Sequence, residues 1–174
     1  MKRRLFIALG LIVTGLIVFS GISAMAFTGY GYYYATPSWN QTLSSNWRFV
    51  VLTNMNSQAV LDKETGLVWE KSPSTDEMEW ASALIYCYGL NLGGRGGFRL
   101  PTVEELRSLV DPNKSNPPLP AGHPFDNVQV NIYWSSTIYA NDTTSAFTVF
   151  MSNGMASAGP KSFPHYVWCV RGGH

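Results

Sequence analysis

Trp80-Ala81-Ser82-Ala83-Leu84-Ile85-Tyr86-Cys87 is the stretch on which the fold turns. Trp80, Ala83, Leu84 and Cys87 recur at spacings of three and four, so they share one face of a helix. Ser74 with Glu77 reads as the capping box that opens this helix, and Gly93-Gly94-Arg95-Gly96-Gly97 as the run that ends it. Cys87 thereby falls on the buried side. The other cysteine, Cys169, shares a face with Val167 in Tyr166–Arg171, which reads as a closing strand. An even count of two predicts a disulfide from helix to last strand. Metal binding or a reactive thiol is the alternative use of the pair.

Outward from there, Thr102 with Glu105 forms a second capping box after Pro101. Val103, Leu106, Leu109 and Val110 make the buried stripe of that helix, and Asp111-Pro112 stops it. Upstream, Arg48–Leu52, Ala59–Asp62 and Leu67–Trp69 read as strands, the last two joined by a turn over Lys63-Glu64-Thr65-Gly66. Downstream, 113–127 is a long loop rich in Pro and Asn. Ile132–Thr137 and Ala146–Met151 are strands, and Asn153-Gly154 predicts a hairpin turn of the primed type. The class is therefore α+β: two helices packed on a twisted, mostly antiparallel sheet, with one disulfide.

The N-terminus carries a separate message. Lys2, Arg3 and Arg4 precede an uncharged apolar run, and Ala24-Met25-Ala26 has the small-x-small pattern of a cleavage site. Residues 1–26 read as a signal peptide. About 23 uncharged residues from Leu5 to Phe27 would also span a bilayer, so an uncleaved membrane anchor is the alternative. Either way the domain is exported. Residues 27–46, rich in Tyr and Gly, form an arm or linker, and 47–174 the domain.

The whole chain has 12 Lys+Arg against 11 Asp+Glu. Without Lys2, Arg3 and Arg4 the balance is 9 against 11, net −2. A mildly acidic domain with no basic run argues against a nucleic-acid partner. Hydrophobic residues at 45% and charged residues at 13% describe a globular chain, not a disordered one.

Five blocks then carry a resemblance. They are Asp62-Lys63-Glu64-Thr65-Gly66-Leu67-Val68-Trp69, Trp80-Ala81 through Cys87, Phe98-Arg99-Leu100-Pro101-Thr102 with Glu105-Leu106, Tyr133-Trp134-Ser135-Ser136-Thr137, and Val170-Arg171-Gly172-Gly173. In this order they resemble the Lcl C-terminal domain family, with Phe98 standing where that family often has Trp. The resemblance implies a C-type-lectin-like fold, shared with the formylglycine-generating enzymes, and a role in binding glycans or other surface partners. It also implies that Trp69, Trp80, Leu100 and Trp134 build the core, and that Arg99 and Arg171 bond buried carbonyls or carboxylates. The enzymes of that group need a cysteine pair near the C-terminus to hold copper; here that region has Cys169 alone.

No nucleophile, P-loop or zincin motif is present, and His123, His165 and His174 are scattered. No catalytic residue, cofactor or metal is expected. Tyr139-Ala140-Asn141-Asp142 only approximates a calcium-lectin triplet, and calcium needs six or more oxygens. A ligand surface is expected on the loops 113–127, 138–145 and 155–164. Tyr139, Asn141, Asp142, Lys161 and His165 are its candidate residues, because ring faces and planar polar groups suit a sugar. The expected function is a non-catalytic exported binding module for a glycan or a surface protein. The alternative is a membrane-anchored accessory subunit of a larger complex.

Overall fold

A four-residue turn, Lys63–Gly66, joins β2 (Ala59–Asp62) to β3 (Leu67–Glu70) in antiparallel register, Asp62 opposite Leu67. Gly66 takes a φ of 72°, which suits glycine in that turn. The structure is a computed structural model and describes residues 41–172. The expected signal peptide 1–26 and residues 27–40 of the arm lie outside the described residues.

Residues 41–46, the described part of the expected arm or linker, are bonded to the domain. The Gln41 side-chain amide donates to the Ser108 carbonyl at 3.0 Å. The Leu43 N–H donates to the Glu64 carboxylate, and the Ser45 hydroxyl to the Ala121 carbonyl. A single helical turn, α1 (Ser45–Arg48), then leads into β1 (Phe49–Val51).

The strands form two antiparallel sheets where one was expected. The first has the order β1-β2-β3-β7, with β7 spanning Val170–Arg171. The second has the order β4-β5-β6, spanning Ile132–Ile138, Ser145–Phe150 and Ala156–Pro160. Two short helices complete the domain: α2 (Trp80–Gly89) and α3 (Val103–Ser108).

Apolar residues on both faces of the first sheet explain the two cores. Val60, Leu67, Trp69 and Val170 pack with Val103, Leu106 and Leu109 of α3 and with Tyr133, Val149 and Trp168. Their strand neighbours Ala59, Leu61, Val68 and Cys169 pack with Ala83 and Cys87 of α2 and with Phe98, Leu100 and Trp134. Strands covered on both faces lose the polar-apolar alternation of a half-exposed sheet. Trp168 gathers the first core: its ring meets Phe125 edge-on at 4.9 Å and Trp69 at 5.7 Å, geometries that aromatic pairs prefer.

The disulfide joins Cys87 of α2 to Cys169, just before β7. Both cysteines are buried. The Thr102–Glu105 capping box of α3 is present in full. Trp69, Trp134 and Leu100 are buried as expected, and Trp80 is half-buried.

Four local expectations are corrected. The closing strand expected over Tyr166–Arg171 is a strand only at Val170–Arg171. Ser74 and Glu77 do not cap α2. The Ser74 hydroxyl closes a local turn with Asp76, and Met78 bridges to His165 in extended pairing, so the helix starts only at Trp80. Tertiary pairing has overridden a local helix signal. Asn153-Gly154 is not a two-residue primed turn, because Gly154 alone has positive φ and the loop closes across Phe150–Met155. Residues 156–160, expected as loop, are β6, held strand by strand against β5.

Candidate functional site

The β4–β5 turn carries three of the five candidate residues. Tyr139, Asn141 and Asp142 follow β4 directly, and backbone bonds from Asp142 to the Tyr139 carbonyl and from Ser145 to the Asp142 carbonyl tighten the loop. The Asn141 amide donates to the Tyr139 hydroxyl at 3.2 Å. The Tyr139 ring stands edge-on to Phe147 at 5.6 Å, which fixes its position.

Asp142 is chiefly a turn-former. Its carboxylate accepts from the Thr144 N–H at 3.0 Å, the Thr144 hydroxyl at 2.6 Å and the Ser145 hydroxyl at 2.8 Å. These bonds, Thr144 first, hold its carboxyl below the usual aspartate range. An anion bonded in this way keeps few lone pairs for a ligand.

Lys161 joins this turn to the end of β6. Its ammonium donates to the Thr143 carbonyl at 2.7 Å and lies over the Trp80 ring, 4.2 Å from the centroid. The Trp80 indole N–H donates to the Ser135 carbonyl at 2.8 Å. Trp80, expected as core, is therefore half-buried and part of this surface. Its exposure had no signal in the sequence, since the helical spacing assigned it inward.

His165 is not one of this group of contacts. Its backbone pairs in both directions with Met78, and its ring packs on Trp134 with centroids 4.5 Å apart. Burial pushes its basicity down. The structure holds Tyr139, Asn141 and Asp142 in one turn, ties Lys161 to that turn through Thr143 and to Trp80 through its ring, and sets His165 against Met78 and Trp134 instead. Of the expected ligand loops, 113–127 runs elsewhere. It lies by α3, where the Pro118 carbonyl accepts from Asp111.

Among the described residues no three His, Cys, Asp or Glu side chains gather as a metal cluster. Arg99, expected to bond carbonyls or carboxylates, does both. It meets Glu105 through two bonds of 2.6 Å and the Gly172 carbonyl at 2.8 Å.

No curated protein matches the chain. The family profile of the Lcl C-terminal domain matches residues 58–171, which include every strand but β1, both cysteines and the β4–β5 turn. The chain belongs to the Lcl C-terminal domain family.

Proposed function

We propose that this domain is a non-catalytic, exported binding module of C-type-lectin-like fold, and that it recognises a glycan through the β4–β5 turn and the adjoining end of β6. One observation carries the reading. Lys161 ties the turn to β6 and to Trp80, so Tyr139 and Asn141 are offered from a braced frame. A braced frame costs little ordering entropy on binding. An aromatic ring beside a planar amide matches the faces and hydroxyls of a sugar.

Export is supported by the disulfide, which persists in oxidising compartments. Two antiparallel sheets, short helices and a disulfide from α2 to the residue just before β7 are compatible with a lectin-like frame. The uncharged run Leu5–Phe27 favours a second reading, in which the domain is held at a membrane as an accessory subunit. The intact mass of the native protein separates the two: a chain beginning at Phe27 supports the released module.

The functional test is a glycan array probed with the oxidised domain, followed by Asn141→Ala and Lys161→Met. Retention of a defined glycan, weakened at least ten-fold by either change, supports the reading. Absence of any retained glycan, or retention unaffected by both changes, overturns it.

A further inference from the structure

We propose that the groove beside α2 is the docking site of the chain's own aromatic arm, Gly31–Trp39. The proposal is independent of the ligand surface at the β4–β5 turn.

The helix itself is the first observation. α2, Trp-Ala-Ser-Ala-Leu-Ile-Tyr-Cys-Tyr-Gly, has no charged residue. Ala83 and Cys87 face the core. On the other side Ala81, Leu84, Ile85 and Tyr88 fall at the spacing that lines up one helix face. Ile85 is 73% exposed and Tyr88 85% exposed. The outer face of a surface helix is ordinarily charged or polar. Here it is apolar on both sides.

The groove is the second. Leu84, Ile85, Tyr88, Arg99, Leu100 and Ser136 line a space of about 430 Å³. Arg99 brings the charge to that wall, and Glu105 answers it with two bonds of 2.6 Å. The wall is therefore apolar and electrically balanced, which suits an uncharged occupant with rings. Aromatic side chains bury large areas at low entropy cost.

The position of the arm is the third. Gln41 is fastened to the Ser108 carbonyl at the end of α3. Ser108 is one helical turn from Glu105, and Glu105 holds Arg99 of the groove wall. From helix and side-chain dimensions this path is on the order of 20 Å. Six extended residues cover about that length. Tyr32, Tyr33 and Tyr34 thus come within reach, in a stretch that also has no charge. Attachment to the same chain supplies a local concentration on the order of millimolar, so a weak individual contact is enough.

The test uses the full chain, and it works equally if the chain begins at Phe27. The photo-crosslinker p-benzoylphenylalanine replaces Tyr88, and the irradiated protein is digested and mapped by mass. A mixture of heavy- and light-isotope chains separates adducts within one chain from adducts between two. The expected adduct joins position 88 to a peptide from residues 31–39 of the same chain. Ile85→Asp is expected to lower its yield at least ten-fold and Ile85→Leu to preserve it, with the Cys87–Cys169 bond intact as the check on folding. Adducts only to a second copy, to another protein or to lipid overturn the proposal. So does the lack of any adduct to 31–39, or a yield that Ile85→Asp leaves unchanged.

Discussion

Arg48 and Asp62 form a two-pronged ion pair shut away from water. The bonds are 2.9 and 2.7 Å, and the two side chains are 2% and 0% exposed. The same guanidinium donates to the Ser108 carbonyl at 2.7 Å, and Asp62 also accepts from the Glu64 N–H at 3.0 Å. One pair thus ties α1, β2, the following turn and the end of α3.

Removing one partner leaves a buried charge with nothing to answer it. Such a deletion costs about 3–5 kcal/mol, although replacing a whole buried pair with apolar groups is often neutral. Asp62→Ala is expected to lose that amount in urea denaturation. A loss below about 1 kcal/mol would show that water reaches Arg48.

Glu70 makes stability depend on pH. Burial pushes its carboxyl from 4.5 up to about 7, against the weaker opposing pull of the Cys169 N–H and the Tyr86 hydroxyl. The folded state therefore holds this proton more tightly than the unfolded state. Its contribution is fully present below pH 4.5 and is lost as pH rises to about 7. The loss is on the order of 3 kcal/mol. Denaturation midpoints of the native chain and of Glu70→Gln should diverge across that window, with Glu70→Gln the flatter. Parallel curves would refute the assignment.

Cys87 and Cys169 stand 82 residues apart in sequence. In the chain-entropy account a loop of that size stabilises by about 4 kcal/mol, because the crosslink restricts the unfolded chain. The double change Cys87→Ala, Cys169→Ala is expected to lower the denaturation free energy by that order. Buried sulfurs also predict slow reduction of the folded protein. Rapid labelling by a thiol reagent after mild reductant, with the fold retained, would contradict that expectation.

Signals confined to a few neighbouring residues were legible in the sequence. Thr102 and Glu105 cap α3 because both partners of the box lie within one turn. Val167 and Cys169 fall in one core and Trp168 and Val170 in the other, as period-two spacing requires. Signals that depend on distant partners were not legible. Ser74 and Glu77 have the pattern of a box, yet Met78 pairs with His165. β6 is Ala-Ser-Ala-Gly-Pro, a poor strand by propensity, and it exists because β5 supplies its register. The site divides the same way. Tyr139, Asn141 and Asp142 are neighbours in a turn, but Trp80 joins them only through Lys161.

Gly93 and Gly94 test how closely the loop after α2 is fitted. Both have positive φ, 56° and 77°. An added methyl on Gly94 meets nothing within 4 Å. On Gly93 it would stand 2.3 Å from the Met55 Cα and 2.4 Å from the Met55 carbonyl carbon, which are backbone atoms with no side-chain freedom to yield. Gly94→Ala therefore carries only the left-handed penalty, about 1–2 kcal/mol. Gly93→Ala carries that penalty and must also push the 3-10 turn Thr53–Met55 away from the loop. The Gly93 N–H bond to the Gln58 side chain, 2.8 Å long, would be strained with it. Thermal denaturation should place Gly93→Ala well below Gly94→Ala, by several degrees for a domain of this size. Equal midpoints would mean that the loop and the Met55 turn separate freely, and that the second core is looser at this end than its packing implies.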